Sequence, residues 1–173
     1  VDDLVPYSPI IEQYVGGSVT LREAADAAVR YSDNAAANLL VEHLGGPDAL
    51  DELLRAAGDA TTMVDRVEPE LNDVEPGDDR DTSTPRALAE SLSAYALGDG
   101  LEDADRDLLI EMLRGNTTGD ALIRAAAPGE GVVGDKTGTA AYGTRNDIGI
   151  AWPPGCGAPI VLAVLSDHAA PDA

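Results

Sequence analysis

The sequence predicts an α+β fold in which a mostly helical part, residues 1–127, precedes a three-stranded antiparallel meander, residues 128–173. Apolar residues recur with the helical period in several segments of the first part. Short β-rich runs joined by Gly/Ala and Pro/Gly turns make up the second part. A polar stretch without periodicity interrupts the helical part. A helical layer against a sheet layer predicts a cleft between the two.

Capping signals delimit the predicted helices. Thr20 and Glu23 form a capping box, in which the threonine hydroxyl accepts from the Glu23 amide while the glutamate reaches back. Glycines and prolines mark other ends, because glycine closes helices and proline suits a first turn. The helices expected on this basis are 20–31, 34–44, 47–57, 85–95, 102–114 and a short one near 120–126.

The stretch of residues 61–84 is predicted to be a long loop of the omega type. It has no periodicity, it is rich in acidic residues, and Pro69, Pro76 and Gly77 interrupt it. An ordered loop of this length inside a compact domain usually has a function. After it, the runs 131–138, 144–152 and 159–166 are predicted to be the three strands.

Composition and charge exclude several classes of function. The formal net charge of −21 repels nucleic acid and anionic membrane surfaces, so neither nucleic-acid binding nor membrane insertion is expected. Cys156 has no second cysteine to pair with, and its setting predicts an incidental thiol. His43 and His168 lie far apart in the sequence, which argues against a zinc site. No cofactor and no metal are expected.

Three short stretches carry polar residues that could perform chemistry. They are Ser32-Asp33-Asn34, Arg66-Val67-Glu68-Pro69-Glu70-Leu71-Asn72 and Asp135-Lys136-Thr137-Gly138, which contains the only lysine of the chain. Each stretch also has a purely structural explanation. The first fits a helix cap, Glu68 fits one more solvated carboxylate, and Lys136 fits a strand end. Their order and spacing are more specific than any one of them.

Taken together, these stretches resemble the active-site motifs of class A serine β-lactamases, in which Ser-Asp-Asn, Lys-Thr-Gly and a catalytic glutamate recur. The match runs from about Val1 to Asp167. It also includes Asn116-Thr117-Thr118-Gly119-Asp120 and Tyr142-Gly143-Thr144-Arg145-Asn146-Asp147. The resemblance implies the fold shared by serine β-lactamases and penicillin-binding proteins, here incomplete. It implies hydrolysis of the β-lactam amide bond of penicillin- and cephalosporin-type antibiotics through an acyl-enzyme.

The resemblance assigns the deacylation step to the long loop. Glu68 corresponds to the general base that activates water, and Asn72 corresponds to the amide that holds this water from its other side. The bond between Glu68 and Pro69 corresponds to one that the family keeps in cis. Arg66 and Asp81 correspond to an ion pair that clamps the two ends of the loop.

The resemblance also implies a substrate cleft. Ser32 corresponds to the hydroxyl that relays a proton to the departing lactam nitrogen, and Lys136 lowers the pKa of this hydroxyl. With Thr137, Lys136 attracts the substrate carboxylate. Asp33 has a structural role in this scheme, bonding nearby backbone. The remaining implied substrate contacts are Tyr7, Asn34, Gly138, Thr139 as half of an oxyanion hole, and Arg145.

One part of the family pattern is absent from these residues. The nucleophile of the family is a serine three residues before a lysine, but Val133 stands three residues before Lys136. The resemblance therefore predicts a fragment without the N-terminal segment and the C-terminal helix of such enzymes, inactive alone because covalent catalysis lacks its first step. The missing N-terminal segment would be its partner, and a β-lactam its small-molecule ligand.

Two alternatives to a β-lactamase remain open at this level. One is a relative of penicillin-binding transpeptidases, although the loop that carries Glu68 argues against it. The other is a non-catalytic remnant, or a module that binds β-lactams or peptidoglycan peptides without turnover. The resemblance to bacterial enzymes further implies a secreted or periplasmic location.

Overall fold

The structure, a computed structural model, describes residues 1, 4–127, 131–155 and 157–167. Six α-helices and three strands make up the described part, and the α+β class expected from the sequence is confirmed. The helices are α1 (Leu21–Tyr31), α2 (Asn34–Leu44), α3 (Pro47–Ala56), α4 (Pro85–Ala96), α5 (Asp103–Arg114) and α6 (Ile123–Ala126). The strands are β1 (Val132–Thr139), β2 (Arg145–Trp152) and β3 (Ile160–Ser166).

The capping box that opens α1 is confirmed. The amide of Glu23 donates to Thr20 Oγ1 at 3.2 Å, and the amide of Thr20 donates to Glu23 Oε2 at 2.8 Å. At the other end, Ser32 closes α1 in a left-handed conformation with φ 55°. The chain turns sharply there and enters α2 through Asp33, so the end of α1 and the start of α2 meet at one point.

The structure corrects three details of the sequence analysis. The first nineteen residues are not wholly irregular, since Ile11–Tyr14 form a 3-10 turn, and a second such turn, Glu70–Asn72, lies in the long loop. The helix expected near 120–126 begins only at Ile123, because the amide of Leu122 bonds the carbonyl of Gly119 in a separate turn. Cys156 and His168 lie outside the described residues.

The three strands form one antiparallel sheet in the order β1-β2-β3. The register pairs Lys136 with Ile148 and Thr139 with Arg145. Helices α4 and α5 pack against this sheet. The contact is close at Gly134, where a Cβ would lie 3.1 Å from the Cβ of Leu113. The buried residues of this core are Leu92, Ala96, Leu113 and Ile150.

A second core holds the helical part together. Its buried residues are Ile11, Ala24, Ala27, Ala35 and Ala36. Beside it lies Asp33, whose side chain is 0% exposed. One carboxylate oxygen of Asp33 accepts from the amides of Ile10 and Ile11, at 2.9 and 3.0 Å, and the other accepts from Ala36 at 2.9 Å. Asp33 therefore fixes the segment before α1 against the start of α2.

Two further features follow from the described residues alone. None of their helices combines the length and the apolar character that crossing a membrane requires. No group of three or more His, Cys, Asp or Glu side chains among them is arranged to hold a metal ion.

Candidate active site

An open cleft of about 640 Å³ brings together side chains from the helical part, the long loop and the sheet. Ten of the fourteen residues singled out in the sequence line it. They are Tyr7, Ser32, Asn34, Glu68, Asn72, Lys136, Thr137, Gly138, Thr139 and Arg145. The other four, Asp33, Arg66, Pro69 and Asp81, are not among the residues that line it. Leu71, Thr118 and Leu122 also line the cleft. The sequence analysis gave them no role, although Leu71 and Thr118 stand in two of its stretches.

Lys136 and Ser32 are in direct contact in this cleft. The ammonium of Lys136 donates to Ser32 Oγ at 2.8 Å and to the carbonyl of Thr137 at 2.6 Å. Burial lowers the pKa of Lys136, and the negative charges of Glu68, Asp135 and Asp147 oppose this shift. The contact joins the end of α1 to β1, although 104 positions separate the two residues in the sequence.

Glu68 lies across the cleft on the long loop. Burial raises the pKa of its carboxyl, while the hydrogen bond from Asn72 Nδ2 to Glu68 Oε2 and the charge of Lys136 oppose the rise. The peptide bond between Glu68 and Pro69 is cis, as the resemblance implied. A carboxylate with a raised pKa beside an amide is suited to take a proton from a polarised donor.

Asn38 on α2 holds the backbone of Glu68, and the sequence analysis missed it. The amide of Glu68 donates to Asn38 Oδ1 at 2.9 Å, and Asn38 Nδ2 donates to the carbonyl of Glu68 at 2.7 Å. This reciprocal pair anchors the loop to the helical part at the residue that enters the cleft. An asparagine inside a helix is unfavourable by propensity, and that was the signal available in the sequence.

An ion pair closes the neck of the long loop. Arg66 Nε lies 2.6 Å from Asp81 Oδ2, and both side chains are largely buried. Asp81 Oδ1 also accepts from the amides of Asp65 and Arg66, at 2.8 and 2.9 Å. Burial acts to raise the pKa of Asp81, but the bonds from Arg66 and Asp65 outweigh it and hold that pKa below its usual value.

A second carboxylate, Asp59, ties the start of the loop to α4 and was also missed. It accepts from the amides of Thr61 and Thr62, both at 2.9 Å, and from Ser91 Oγ at 3.1 Å. Burial acts to raise the pKa of Asp59, yet a bond from the Thr62 hydroxyl and the bonds above lower it to about 2. The loop is therefore anchored at its start by Asp59, at its neck by Asp81 and at its centre by Asn38.

The rim of the cleft is formed by backbone contacts as well as side chains. Tyr7 stands at the mouth, 61% exposed, in a left-handed conformation with φ 62°. Asn34 Nδ2 donates to the carbonyl of Pro6 at 3.0 Å, which turns the asparagine side chain toward this mouth segment. At the other end, the amide of Ala141 in the β1–β2 turn donates to the carbonyl of Asn72 at 3.2 Å.

Strands β1 and β2 each carry one buried acidic side chain. Asp135 is 0% exposed and accepts from Arg124 Nε and, at 2.9 Å, from Asn116 Nδ2. Asp147 Oδ2 accepts from the amide of Ile123 at 2.9 Å, whereas its buried Oδ1 meets no donor among the described residues. Burial and the nearby Asp135 carboxylate raise the pKa of Asp147 to about 6.

Replacing Asp147 by asparagine is therefore expected to stabilise the protein in a pH-dependent way. A raised carboxyl pKa destabilises the fold increasingly as pH rises from the unfolded value of 3.8 to about 6, and fully above that. Asp147→Asn should raise the free energy of unfolding by on the order of 2 kcal/mol near pH 8 and by little near pH 4, in urea titrations. Exposed Asp99→Asn is the control; an equal gain at both pH values would contradict the expectation.

Comparison with known proteins agrees with this geometry. The model of the beta-lactamase enzyme family matches residues 1–173. The chain is 57% identical to a beta-lactamase of Bacillus licheniformis, over 99% of its own length and 56% of that protein. It is 54% identical to the carbapenem-hydrolyzing beta-lactamase KPC of Klebsiella oxytoca, over 94% of its length and 56% of that protein. The chain thus spans a little over half the length of these curated relatives.

Solved structures give the same result. The crystal structure of a halotolerant bacterial beta-lactamase superposes with a TM-score of 0.97 at 57% identity, covering 98% of this chain and 65% of that one. A variant of the last common ancestor of Gram-negative class A beta-lactamases superposes with a TM-score of 0.94 at 52% identity, covering 98% and 64%. The resemblance to class A enzymes is confirmed: this chain belongs to the beta-lactamase enzyme family.

Proposed function

We propose that residues 1–173 form the part of a class A β-lactamase that protonates the leaving nitrogen and releases the acyl group. The observation that carries this proposal is that Glu68, Ser32 and Lys136 share one cleft, with Lys136 Nζ 2.8 Å from Ser32 Oγ. An ammonium beside a hydroxyl, facing a half-buried carboxylate, can serve both halves of an acyl transfer.

In the proposed acylation half, the oxygen of the nucleophile forms an ester bond to the lactam carbonyl carbon as the carbon–nitrogen bond breaks. Ser32 passes its proton to the departing nitrogen and receives the proton that the nucleophile gives up, so the relay leaves Ser32 neutral. Lys136 stabilises the negative charge that develops on Ser32 Oγ during this transfer, because its ammonium already donates to that oxygen. Lys136, Thr137 and Arg145 supply positive charge and a hydroxyl for the substrate carboxylate. The further proposed substrate contacts are Tyr7, Asn34, Gly138 and the amide of Thr139, which stabilises charge on the carbonyl oxygen.

In the proposed deacylation half, Glu68 takes a proton from a water whose oxygen attacks the acyl ester. The ester bond breaks, the nucleophile regains its proton, and the opened antibiotic leaves. A pKa raised by burial brings Glu68 closer to the working pH, which makes it a better base. Asn72, already bonded to the Glu68 carboxylate, holds the same water in this scheme. Pro69, Arg66, Asp81 and Asp33 support the geometry.

The nucleophile is proposed to come from a segment outside these residues, because no serine here stands three positions before a lysine. That segment would be the partner of residues 1–173, and a β-lactam their ligand. A secreted or periplasmic location is proposed as well, since the relatives are bacterial beta-lactamases.

The test joins residues 1–173 to the flanking segments that the Bacillus licheniformis relative carries outside the match; we call this chimera the extended protein. It should hydrolyse benzylpenicillin with a kcat of about 1 s⁻¹ or more, in the normal range of enzymes, whereas residues 1–173 alone should not turn over. Stable acylation without release would instead support a transpeptidase relative. Reversible binding without acylation would support a binding module. Either outcome rejects hydrolysis.

A further inference from the structure

Five consecutive residues form hydrogen bonds to both elements that meet at the Lys136–Ser32 contact, the end of α1 and strand β1. They are Gly115-Asn116-Thr117-Thr118-Gly119, which follow the end of α5, and we call them the bracket turn. The function proposed above uses none of them. Each of the three central residues bonds a residue close in sequence to Ser32 or to Lys136.

Thr117 binds the end of α1. Its amide donates to the carbonyl of Arg30 at 2.9 Å, and its hydroxyl donates to the same carbonyl at 2.8 Å. The last carbonyls of a helix have no partner inside the helix, so a donor from outside is needed there. Arg30 stands two positions before Ser32, and Thr117 therefore holds the helix end that presents the serine.

Asn116 and Thr118 bind β1 on either side of Lys136. Asn116 Nδ2 donates to Asp135 Oδ2 at 2.9 Å, and Thr118 Oγ1 lies 2.6 Å from Thr137 Oγ1. The turn approaches the strand so closely that a Cβ at Gly119 would lie 1.7 Å from Asp135 Oδ2. Because Asp135 is buried and held by two donors, the carboxylate has no room to yield.

Helix α5 packs against both α1 and β1 and brings the two elements side by side. The bracket turn follows α5 directly and adds hydrogen bonds to residues next to Ser32 and next to Lys136. We therefore expect the fine adjustment of the Lys136–Ser32 distance to depend on these bonds. Hydrogen-bond reach is narrow, so a shift of about 1 Å would break the contact.

We propose that the bracket turn is a positioning element that keeps Ser32 Oγ within reach of the Lys136 ammonium, with Thr117 as its positioning residue on the serine side. The purpose of this contact rests on the function proposed above, whereas its geometry does not. The turn touches neither reacting atom in that scheme and acts only through Arg30, Asp135 and Thr137.

The experiment uses the fact that Lys136 is the only lysine of the chain. Lysine labelled with ¹³C at Cε gives a single side-chain signal in the 173-residue protein, and its shift reports the titration of Lys136. The charged groups facing this ammonium are Glu68 from the long loop, Asp135 from β1 and Asp147 from β2. Each stays in place in the variants, so a change in the titration reports the serine contact.

Thr117→Val removes one of the two bonds to the Arg30 carbonyl. If the turn positions Ser32, the ammonium loses an acceptor, and the titration midpoint of Lys136 should fall below the wild-type value, because a lost acceptor disfavours the charged form. Thr117→Ser keeps the hydroxyl and should restore the wild-type midpoint. The matched control is Thr82→Val, which removes a similar bond, from Thr82 Oγ1 to the Asp79 carbonyl at 2.7 Å, away from the cleft.

A lower melting temperature for Thr117→Val with an unchanged lysine titration would overturn the proposal, since the turn would then be structural only. If Thr117→Val does not fold, Thr118→Val, which removes the bond to Thr137 on the strand side, is judged by the same criterion. The titration needs neither substrate nor nucleophile. An inactive extended protein would reject the proposed function and leave this inference standing. An unchanged lysine titration would reject this inference and leave the proposed function standing.

Discussion

Replacing Glu68 by glutamine in the extended protein is expected to trap the acylated form. Glutamine keeps the shape of the side chain but cannot accept a proton from water, so release of the acyl group slows by about 10²–10⁴-fold, the usual contribution of a general base. Acylation does not use Glu68 in the proposed scheme and should persist. Mass spectrometry after mixing with benzylpenicillin should show the covalent adduct accumulating, and steady-state turnover should fall.

The control for this prediction is Glu75→Gln, seven positions along the same loop. Glu75 is exposed, does not line the cleft and does not contribute to the pKa shift of Glu68, so this variant removes an equal charge without removing the proposed base. Its turnover should match that of the unmodified protein. Equal losses in the two variants would assign the effect to loop charge, and a Glu68 variant that deacylates at the normal rate would reject the base.

Replacing Asp33 by alanine should have the largest effect on stability. Three backbone amides, those of Ile10, Ile11 and Ala36, donate to this carboxylate. Removing the acceptor leaves them without partners in a buried site, and each such group costs about 1–3 kcal/mol. Asp33→Ala should therefore lower the free energy of unfolding by about 3–5 kcal/mol in urea titrations, which is a large share of a domain's net stability.

Asp107→Ala provides the comparison, because Asp107 is an exposed residue of α5. It should leave the unfolding midpoint nearly unchanged. Asp33→Asn should fall between the two, since its carbonyl oxygen still accepts while its amide nitrogen cannot. A loss below about 1 kcal/mol for Asp33→Ala would mean that the three amides find other partners.

The helices could be predicted from the sequence where their ends depend on local chemistry. Thr20 with Glu23, Pro47 and Pro85 each mark a helix start through interactions within one turn, and the structure has helices beginning at these points. The predicted start of α6 was wrong for a different reason. The chain first makes a separate turn from Gly119 to Leu122, and Gly119 approaches Asp135 of the sheet too closely for a side chain. That approach involves a residue of the sheet, and no local sequence pattern encodes it.

The residues of the candidate site also divide into those with a local sequence signal and those defined by tertiary contacts. Lys136, Ser32 and Glu68 could be found because they stand in short, recognisable stretches, and the structure brings them into one cleft. Asn38 stands in no such stretch, and its place inside a helix was the only signal for a contact with a residue 30 positions away. Thr117 stands in a stretch that the resemblance included, but its contact is with Arg30, 87 positions away, so no role could be assigned to it from the sequence. The contacts of residues that support a site are determined by the tertiary fold, so their roles can be assigned only from the structure.

The hydrogen bond from the amide of Ala141 to the carbonyl of Asn72 has a consequence for how this cleft can evolve. Asn72 also donates to the carboxylate of Glu68. Remodelling the β1–β2 turn to admit bulkier antibiotics would therefore disturb the amide that orients the base of the proposed reaction. In the proposed reaction, the range of antibiotics accepted and the rate of acyl release are therefore expected to be coupled, so that a variant that gains the first should lose some of the second.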